Sequence, residues 1–133
     1  DKLKSFIEKR KDNFAQLYSE LKQFEEKISL PLSTPKSDPC WFGFPISVRK
    51  EHSVDRNQLT SYLEEKNIET RTLFGGNLIR QPAFKDVNFR QVGNLKNTDF
   101  IKDNTFFIGV YPGIDKRQVD YVIDAFEKYF GGK

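Results

Sequence analysis

Residues 71–84 hold the side chains of this chain that are best suited to binding a ligand. The stretch carries two guanidiniums, Arg71 and Arg80, two carboxamides, Asn77 and Gln81, and a glycine pair at 75–76. Arginine makes bidentate contacts with phosphate and carboxylate groups, and a loop after a strand can aim polar donors at a ligand. A structural role is also open, in which Arg71 pairs with an acidic residue of a helix and Asn77 caps a turn. The spacing alone favours the structural role somewhat.

Other kinds of catalytic or metal site are excluded by the residue counts. The chain has one His, His52, and one Cys, Cys40. One imidazole in a polar turn and one thiol cannot build a zinc site or an iron–sulfur cluster. Cys40 cannot form an internal disulfide, which fits a reducing, cytoplasmic setting. The glycine pair matches neither the Walker nor the dinucleotide pattern, and Glu64 and Glu65 are expected on a solvated helix face. We therefore predict no catalytic and no metal-binding residue here.

The composition indicates one globular domain without a membrane or nucleic-acid partner. The chain has 133 residues, of which 37% are hydrophobic and 31% charged, and its formal net charge is +3. No apolar run approaches the roughly 20 residues that a membrane span needs, and so small and evenly mixed a charge does not form a basic patch. The 13 phenylalanines are expected in the core, because aromatic residues at strand and helix spacings pack more often than they stack on bases.

The first part of the chain is predicted as a helix and a connector. In residues 1–29, apolar side chains recur at spacings of three, four and seven from Leu3 to Ile28, which is the period of a long helix with one buried face. Three prolines in residues 30–39 then predict an extended connector. Residues 40–133 are assigned to a small domain.

Three strands are predicted in this domain. Apolar and polar residues alternate over 42–48, which indicates a half-buried strand, and Pro45 favours a sheet edge or a bulge. A second strand is expected at 68–73. The third, at 106–110, is apolar on both sides and is expected at the centre of the sheet.

Short helices are predicted between and after the strands. Asp55 and Asp115 each precede a Gln by three residues, which is the capping-box pattern. Residues 97–99 offer cap side chains for a further short helix, and the last helix is expected to stop at the glycines 131–132. The resulting order predicts an α+β fold with about three strands in a small antiparallel or mixed sheet, helices packed on one face and a long N-terminal helix.

The start of the chain indicates a longer protein. There is no Met anywhere in the sequence, no secretory signal pattern precedes the first helix, and the helical period is already under way at residue 2. We expect the chain to begin within a larger polypeptide.

Five segments match, in order, a known family. They are residues 39–46 (PCWFGFPI), 68–71 (IETR), 73–84 (LFGGNLIRQPAF), 93–99 (GNLKNTD) and 107–113 (FIGVYPG). They resemble the C-terminal part of the CDP-4-keto-6-deoxyglucose 3-dehydrases. These enzymes belong to the sugar aminotransferase and dehydratase branch of the fold type I pyridoxal-phosphate enzymes, the aspartate aminotransferase superfamily. Transaminating relatives usually show a Pro-Leu-His-type sequence before the Gln-Pro, where this chain has the dehydrase-like residues 77–80.

The resemblance implies a small C-terminal domain of a larger homodimeric enzyme, with the first helix leading in from a cofactor domain that this chain lacks. In the family the coenzyme is pyridoxamine or pyridoxal phosphate, a catalytic His replaces the Schiff-base Lys, and a two-iron two-sulfur cluster takes part. The enzyme removes the C3 hydroxyl of a CDP-hexulose, which leads to the 3,6-dideoxyhexoses of lipopolysaccharide O-antigen. The cofactors are then bound outside this chain, which alone binds none and is inactive.

The same resemblance assigns the site residues and leaves alternatives open. Asn77, Arg80 and Gln81 match the substrate loop of a lid-like domain, whereas Arg71 matches a preceding strand position that also fits a structural role. Close dehydrase relatives are expected to have a basic residue where this chain has Phe100, so a 4-keto-sugar aminotransferase remains an alternative. A free-standing α+β interaction module that uses its first helix as the partner surface is a third hypothesis.

Overall fold

The computed structural model describes residues 2–49, 51 and 54–131, so the predictions made for His52 and Gly132 lie outside the described part. The chain forms four α-helices and four β-strands in alternating groups. In chain order they are α1 Lys2–Leu21, β1 Ile28–Ser29, β2 Gly43–Val48, α2 Arg56–Glu65, β3 Thr70–Thr72, α3 Lys96–Asn104, β4 Thr105–Gly109 and α4 Lys116–Gly131.

The strands form one antiparallel sheet in the order β1-β2-β4-β3, which confirms the predicted α+β class. The sheet has one strand more than expected. The first helix ends at Leu21 and not near residue 28, because a 3₁₀ turn at Lys22–Phe24 releases the chain. Ile28 then pairs with Val48 in the sheet, and both side chains are fully buried.

Two positional predictions about strands are confirmed. β4 lies between β2 and β3, as expected for the strand that is apolar on both sides. β1 pairs only with Ser47 and Val48 of β2, so Pro45 lies in a part of β2 that has a paired strand on one side alone. A proline there breaks no ladder on the open side, because the missing N–H has no partner to lose.

The hydrophobic core covers one face of the sheet. Phe44 and Ile46 of β2 and Phe106 and Ile108 of β4 are at most 2% exposed and point to the same side. Buried apolar residues of α1, α2 and α4 complete the cluster, whereas the buried residue of α3 is the polar Asn104. The other face of the sheet carries the alternate residues, among them Pro45, Phe107 and Arg71 at one register level.

The connector is fastened to α1. Arg10 donates one guanidinium nitrogen to the carbonyl oxygens of Trp41 and Phe42 at 3.0 and 3.2 Å. The Trp41 ring stacks on Phe14, with ring centroids 4.9 Å apart, and Lys11 pairs with Asp38 at 2.5 Å. Residues 30–42 therefore lie against the helix although they form no strand or helix of their own.

Both capping-box predictions are confirmed. The Asp55 carboxylate accepts from the Gln58 backbone N–H at 2.9 Å. The Asp115 carboxylate accepts from the Gln118 N–H at 3.1 Å, and the Gln118 side chain accepts in return from the Asp115 N–H at 2.9 Å.

Asp115→Ala is expected to lower the free energy of unfolding by about 1 kcal/mol, because it leaves an N–H group of the first turn of α4 without its acceptor. Asp120→Ala is the matched control, since Asp120 makes only an exposed ion pair with Lys116, a type worth about 0.3–0.5 kcal/mol. Urea denaturation measures both. Equal losses from the two substitutions would show that the cap contributes no more than a surface charge.

Candidate functional site

The loop of residues 73–84 leaves β3 and folds into two 3₁₀ turns. The turns span Leu78–Arg80 and Pro82–Phe84. Gln81 separates them and donates its side-chain amide to the carbonyl oxygen of Gly75 at 2.7 Å. This bond ties the second half of the loop to the glycine pair. The loop is therefore ordered although it has no sustained sequence period.

The loop is held on α3 by one carboxylate, that of Asp99. The side-chain amide of Asn77 donates to one carboxylate oxygen at 2.7 Å, and Arg80 donates to the other at 3.3 Å. Asn77 is only 3% exposed, which makes it one of the few buried polar residues in the described chain. Gly76 lies close to the same helix, because a Cβ added there would meet Lys102. Asn77 and Arg80 thus meet at a single anion.

Arg71 lies apart from the other three predicted site residues. It is on β3, where its guanidinium pairs with Glu69 at 2.5 Å. Glu69 precedes the strand and is not part of a helix, so the expected pairing of Arg71 with a helical acid is wrong. It is Arg80 that pairs with a helical acid. Asn77 occupies the cap position of the Leu78–Arg80 turn, but its side chain makes no capping bond.

The sequence placed Asp99 among caps, and the structure gives it a different partner. α3 begins earlier than predicted, after Leu95, whose backbone is left-handed with φ of 55°. The side chain of Asn94 accepts from the Lys96 N–H at 3.1 Å. Asp99 therefore lies within the first turn, and its carboxylate is free to bind the loop. An acidic residue in a first helical turn after an arginine-containing loop was the only sequence signal for this contact.

Two hollows open beside the loop. The smaller, of about 360 Å³, is lined by the loop residues Phe74, Gly75 and Leu78 and by Ile101 of α3, among others. The larger is a cleft of about 1130 Å³ along β3, β4 and the start of α4, and Arg71 lines it. Phe74 lines both hollows.

The charge of Asp99 is stabilised in the folded chain. The hydrogen bond from Asn77, and then the hydrogen bond and charge of Arg80, hold the pKa of the Asp99 carboxyl below its ordinary value of 3.8, and the charge of Lys102 acts in the same direction. A carboxyl whose pKa is lower in the folded chain stabilises it above the unfolded value and loses this contribution as the pH falls through the folded value.

Asp99→Asn is therefore expected to cost stability at about pH 7 and progressively less below about pH 4, because the wild-type carboxylate is then protonated as well. Urea denaturation of both chains across this range gives the difference in unfolding free energy. A difference that does not change with pH would contradict a contribution from the Asp99 charge.

The described residues do not form a coenzyme or metal site by themselves. The glycine pair leads into a three-residue 3₁₀ turn and not into a helix whose N-terminus can cradle a phosphate. No group of three or more His, Cys, Asp or Glu side chains comes together in the described part of the chain. Cys40 is exposed and is the one cysteine of the sequence. Among the described helices, none has the length and apolar composition to cross a bilayer.

The fold is found in pyridoxal-phosphate-dependent enzymes. An E. coli GDP-4-keto-6-deoxy-D-mannose-3-dehydratase with bound hydrated PLP superposes with a TM-score of 0.84 at 25% identity, over 93% of this chain and 31% of that chain. An aminotransferase from Psychrobacter cryohalolentis superposes with a TM-score of 0.88 at 12% identity, over 98% of this chain and 36% of that one, which shows the fold alone. The class is thus an α+β unit of the pyridoxal-phosphate-dependent aminotransferase fold.

The sequence comparison gives the family. The model of the DegT/DnrJ/EryC1/StrS aminotransferase family matches residues 1–127, and the chain belongs to this family. The lipopolysaccharide biosynthesis protein RfbH of Salmonella typhimurium is 48% identical over 98% of the chain and 30% of its own length. A dTDP-4-dehydro-2,6-dideoxy-D-glucose 3-dehydratase of Saccharopolyspora spinosa is 41% identical over 96% of the chain and 28% of its own length. The chain thus spans less than a third of these relatives.

Proposed function

We propose that this chain is the C-terminal domain of a pyridoxamine- or pyridoxal-phosphate-dependent nucleotide-sugar 3-dehydrase. The substrate is a CDP-4-keto-6-deoxyglucose, and the product leads to 3,6-dideoxyhexoses of lipopolysaccharide O-antigen. One observation carries the proposal: the dehydrase-like residues 77–80 form an ordered loop tied to α3 through Asp99, in a chain that is 48% identical to a lipopolysaccharide biosynthesis protein. The domain closes the substrate cleft and has no activity alone.

The proposed role of the loop is to bind and orient the substrate. The Arg80 side chain is 55% exposed and uses a single hydrogen bond on Asp99. A guanidinium has five donors, so further donors remain for a phosphate or a sugar hydroxyl. Gln81 keeps its carboxamide oxygen as an acceptor, and Asn77 fixes the turn from which Arg80 projects. Arg71, with a side chain 69% exposed, binds from β3.

The proposed cofactors belong to the part of the protein outside these 133 residues. The glycine turn and the single cysteine of this chain fit neither a coenzyme phosphate nor a two-iron two-sulfur cluster. Pyridoxamine or pyridoxal phosphate and the cluster are therefore placed in a preceding cofactor domain of a cytoplasmic homodimer. α1 leads in from that domain, residues 30–39 connect, and residues 40–133 form the lid.

The test uses the full-length protein that contains this chain. It is incubated with pyridoxamine phosphate and, in turn, with CDP-, GDP- and dTDP-4-keto-6-deoxy sugars, and the sugar product is analysed by mass spectrometry. Loss of the C3 hydroxyl from the CDP sugar is the expected result. An amino sugar formed from a glutamate donor would indicate a 4-keto-sugar aminotransferase. No reaction with any of these sugars would favour the interaction module.

A loop variant links the activity to this domain. Arg80→Gln is expected to raise KM for the sugar nucleotide roughly tenfold, the usual effect of losing one hydrogen bond to a charged group. Arg90→Gln is the matched control, because Arg90 is exposed and lies outside residues 73–84. Equal KM values for the two variants would remove Arg80 from the substrate site.

A further inference from the structure

We propose that the larger cleft binds the nucleoside diphosphate part of the substrate, with the base stacked on an aromatic platform and the diphosphate on the arginines beside it. The platform consists of Phe42, Phe74 and Phe107. The inference rests on the proposed function, because it states where each part of a nucleotide sugar lies.

The platform is a group of three rings on the sheet face opposite the core. The centroid of Phe42 lies 6.3 Å from that of Phe74 and 5.7 Å from that of Phe107, and Phe74 and Phe107 are 6.0 Å apart. Phe42 is 67% and Phe74 76% exposed, contrary to the expectation that the phenylalanines pack in the core. Exposed, mutually supported rings offer flat faces on which any nucleobase can stack.

The backbone of Phe74 holds its ring in this position at a conformational cost. Its φ is 48°, in the left-handed region that bulky residues rarely adopt. The Phe74 N–H donates to the Thr72 carbonyl oxygen at 2.8 Å, which fixes the sharp turn out of β3. Such strain is found where a residue is held for a function rather than for packing. A ring that is 76% exposed gains little packing to offset it.

The charge of the cleft suits a diphosphate. Four cationic residues line it, Arg10, Lys66, Arg71 and Arg117, against the single acid Glu69. The side chains of Arg71 and Arg117 are 69% and 94% exposed. Arginine binds phosphate oxygens in a bidentate manner, and charge complementarity favours an anion over the neutral parts of a sugar.

Two of these cations lie next to the rings. Arg71 pairs with Phe107 across β3 and β4, so both side chains leave the sheet on the same face. Arg10 donates to the Phe42 carbonyl oxygen at 3.2 Å. A base stacked on Phe42 or Phe74 therefore has guanidinium groups within the same cleft for its diphosphate.

Phe74 also connects the nucleotide cleft with the loop. It lines the cleft of about 1130 Å³ on one side and the hollow of about 360 Å³ on the other. The smaller hollow is formed by the loop to which the sugar contacts are assigned. A nucleotide sugar that passes Phe74 thus places its nucleotide in the cleft and its sugar at residues 73–84.

The experiment measures nucleotide binding by the full-length protein without turnover. CDP, GDP, dTDP and inorganic pyrophosphate are titrated by calorimetry, and the tightest nucleotide is used for the variants. Phe74→Ala is expected to weaken nucleotide binding roughly tenfold and to leave pyrophosphate binding unchanged, since it removes stacking alone. Arg71→Gln is expected to weaken both ligands. Phe89→Ala is the matched control, because Phe89 is 51% exposed and does not line the cleft.

The outcomes separate this inference from the proposed function. Nucleotide binding that is lost in Phe74→Ala, in a protein that removes no C3 hydroxyl, supports the cleft and overturns the dehydrase. Full dehydrase activity with unchanged nucleotide affinity in Phe74→Ala and Arg71→Gln overturns the cleft. Unchanged affinity together with a lowered melting temperature of the Phe74→Ala protein also overturns it, since the rings then pack against another part of the protein.

Discussion

Phe106→Ala is expected to lower the free energy of unfolding of the 133-residue chain by about 3–5 kcal/mol. Phe106 is fully buried on the central strand β4, where it pairs with Ile46 of β2 and Thr72 of β3. Truncation removes the contacts of a whole ring and leaves a cavity between the sheet and the helices that the surrounding side chains fill only in part. Urea denaturation followed by circular dichroism gives the value.

Phe107→Ala is the matched control for this prediction, because it changes the same residue type one position along the same strand. Phe107 points to the opposite face and is only partly buried. Its loss is expected to cost about 1–2 kcal/mol, in proportion to the smaller apolar area removed from water. Equal costs for the two substitutions would contradict a core on one face, and would instead indicate that the aromatic platform stabilises the fold as much as the core does.

The regular elements were predictable where one pattern had one interpretation. α4 has the apolar spacing of a helix together with a reciprocal capping box at Asp115. β4 was recognised as central because its residues are apolar on both sides. β1 was missed because Ile28 follows Leu21 by seven and Phe24 by four residues, which continues the helical spacing. Only the distant pairing of Ile28 with Val48 decides for a strand, and such a contact leaves no local signal.

The candidate site was predictable in its residue types and not in its contacts. Residues 73–84 stood out by composition, and the resemblance gave them a role. The partner that organises them, Asp99, is 19 residues beyond Arg80 and 22 beyond Asn77 along the chain. A carboxylate in a first helical turn serves a cap, the helix dipole or a distant cation equally well. The choice depends on where the loop lies, which is a tertiary property.

Gly76→Ala in the full-length protein is expected to displace the loop and to lower kcat/KM for the nucleotide sugar about 100-fold, the effect of misplacing binding groups by about 1 Å. Gly76 has φ of 60°, where a side chain costs about 1–2 kcal/mol. Its Cβ would lie 2.7 Å from the Cγ and 3.1 Å from the Cβ of Lys102. These atoms are near the α3 backbone and cannot swing away, so loop and helix must separate. Steady-state kinetics measures the loss.

Gly75→Ala is the control that separates loop displacement from the mere addition of a methyl group. The φ of Gly75 is not positive, and its Cβ would approach only the terminal methyl of Leu78, at 3.2 Å. A flexible side chain yields at that distance, so the kinetics are expected to stay close to those of the wild type. The bond from Asn77 to Asp99 lies directly after Gly76, and hydrogen exchange of residues 77–81 should therefore rise in Gly76→Ala alone. Faster exchange with unchanged kcat/KM would mean that the loop moves but does not bind the substrate.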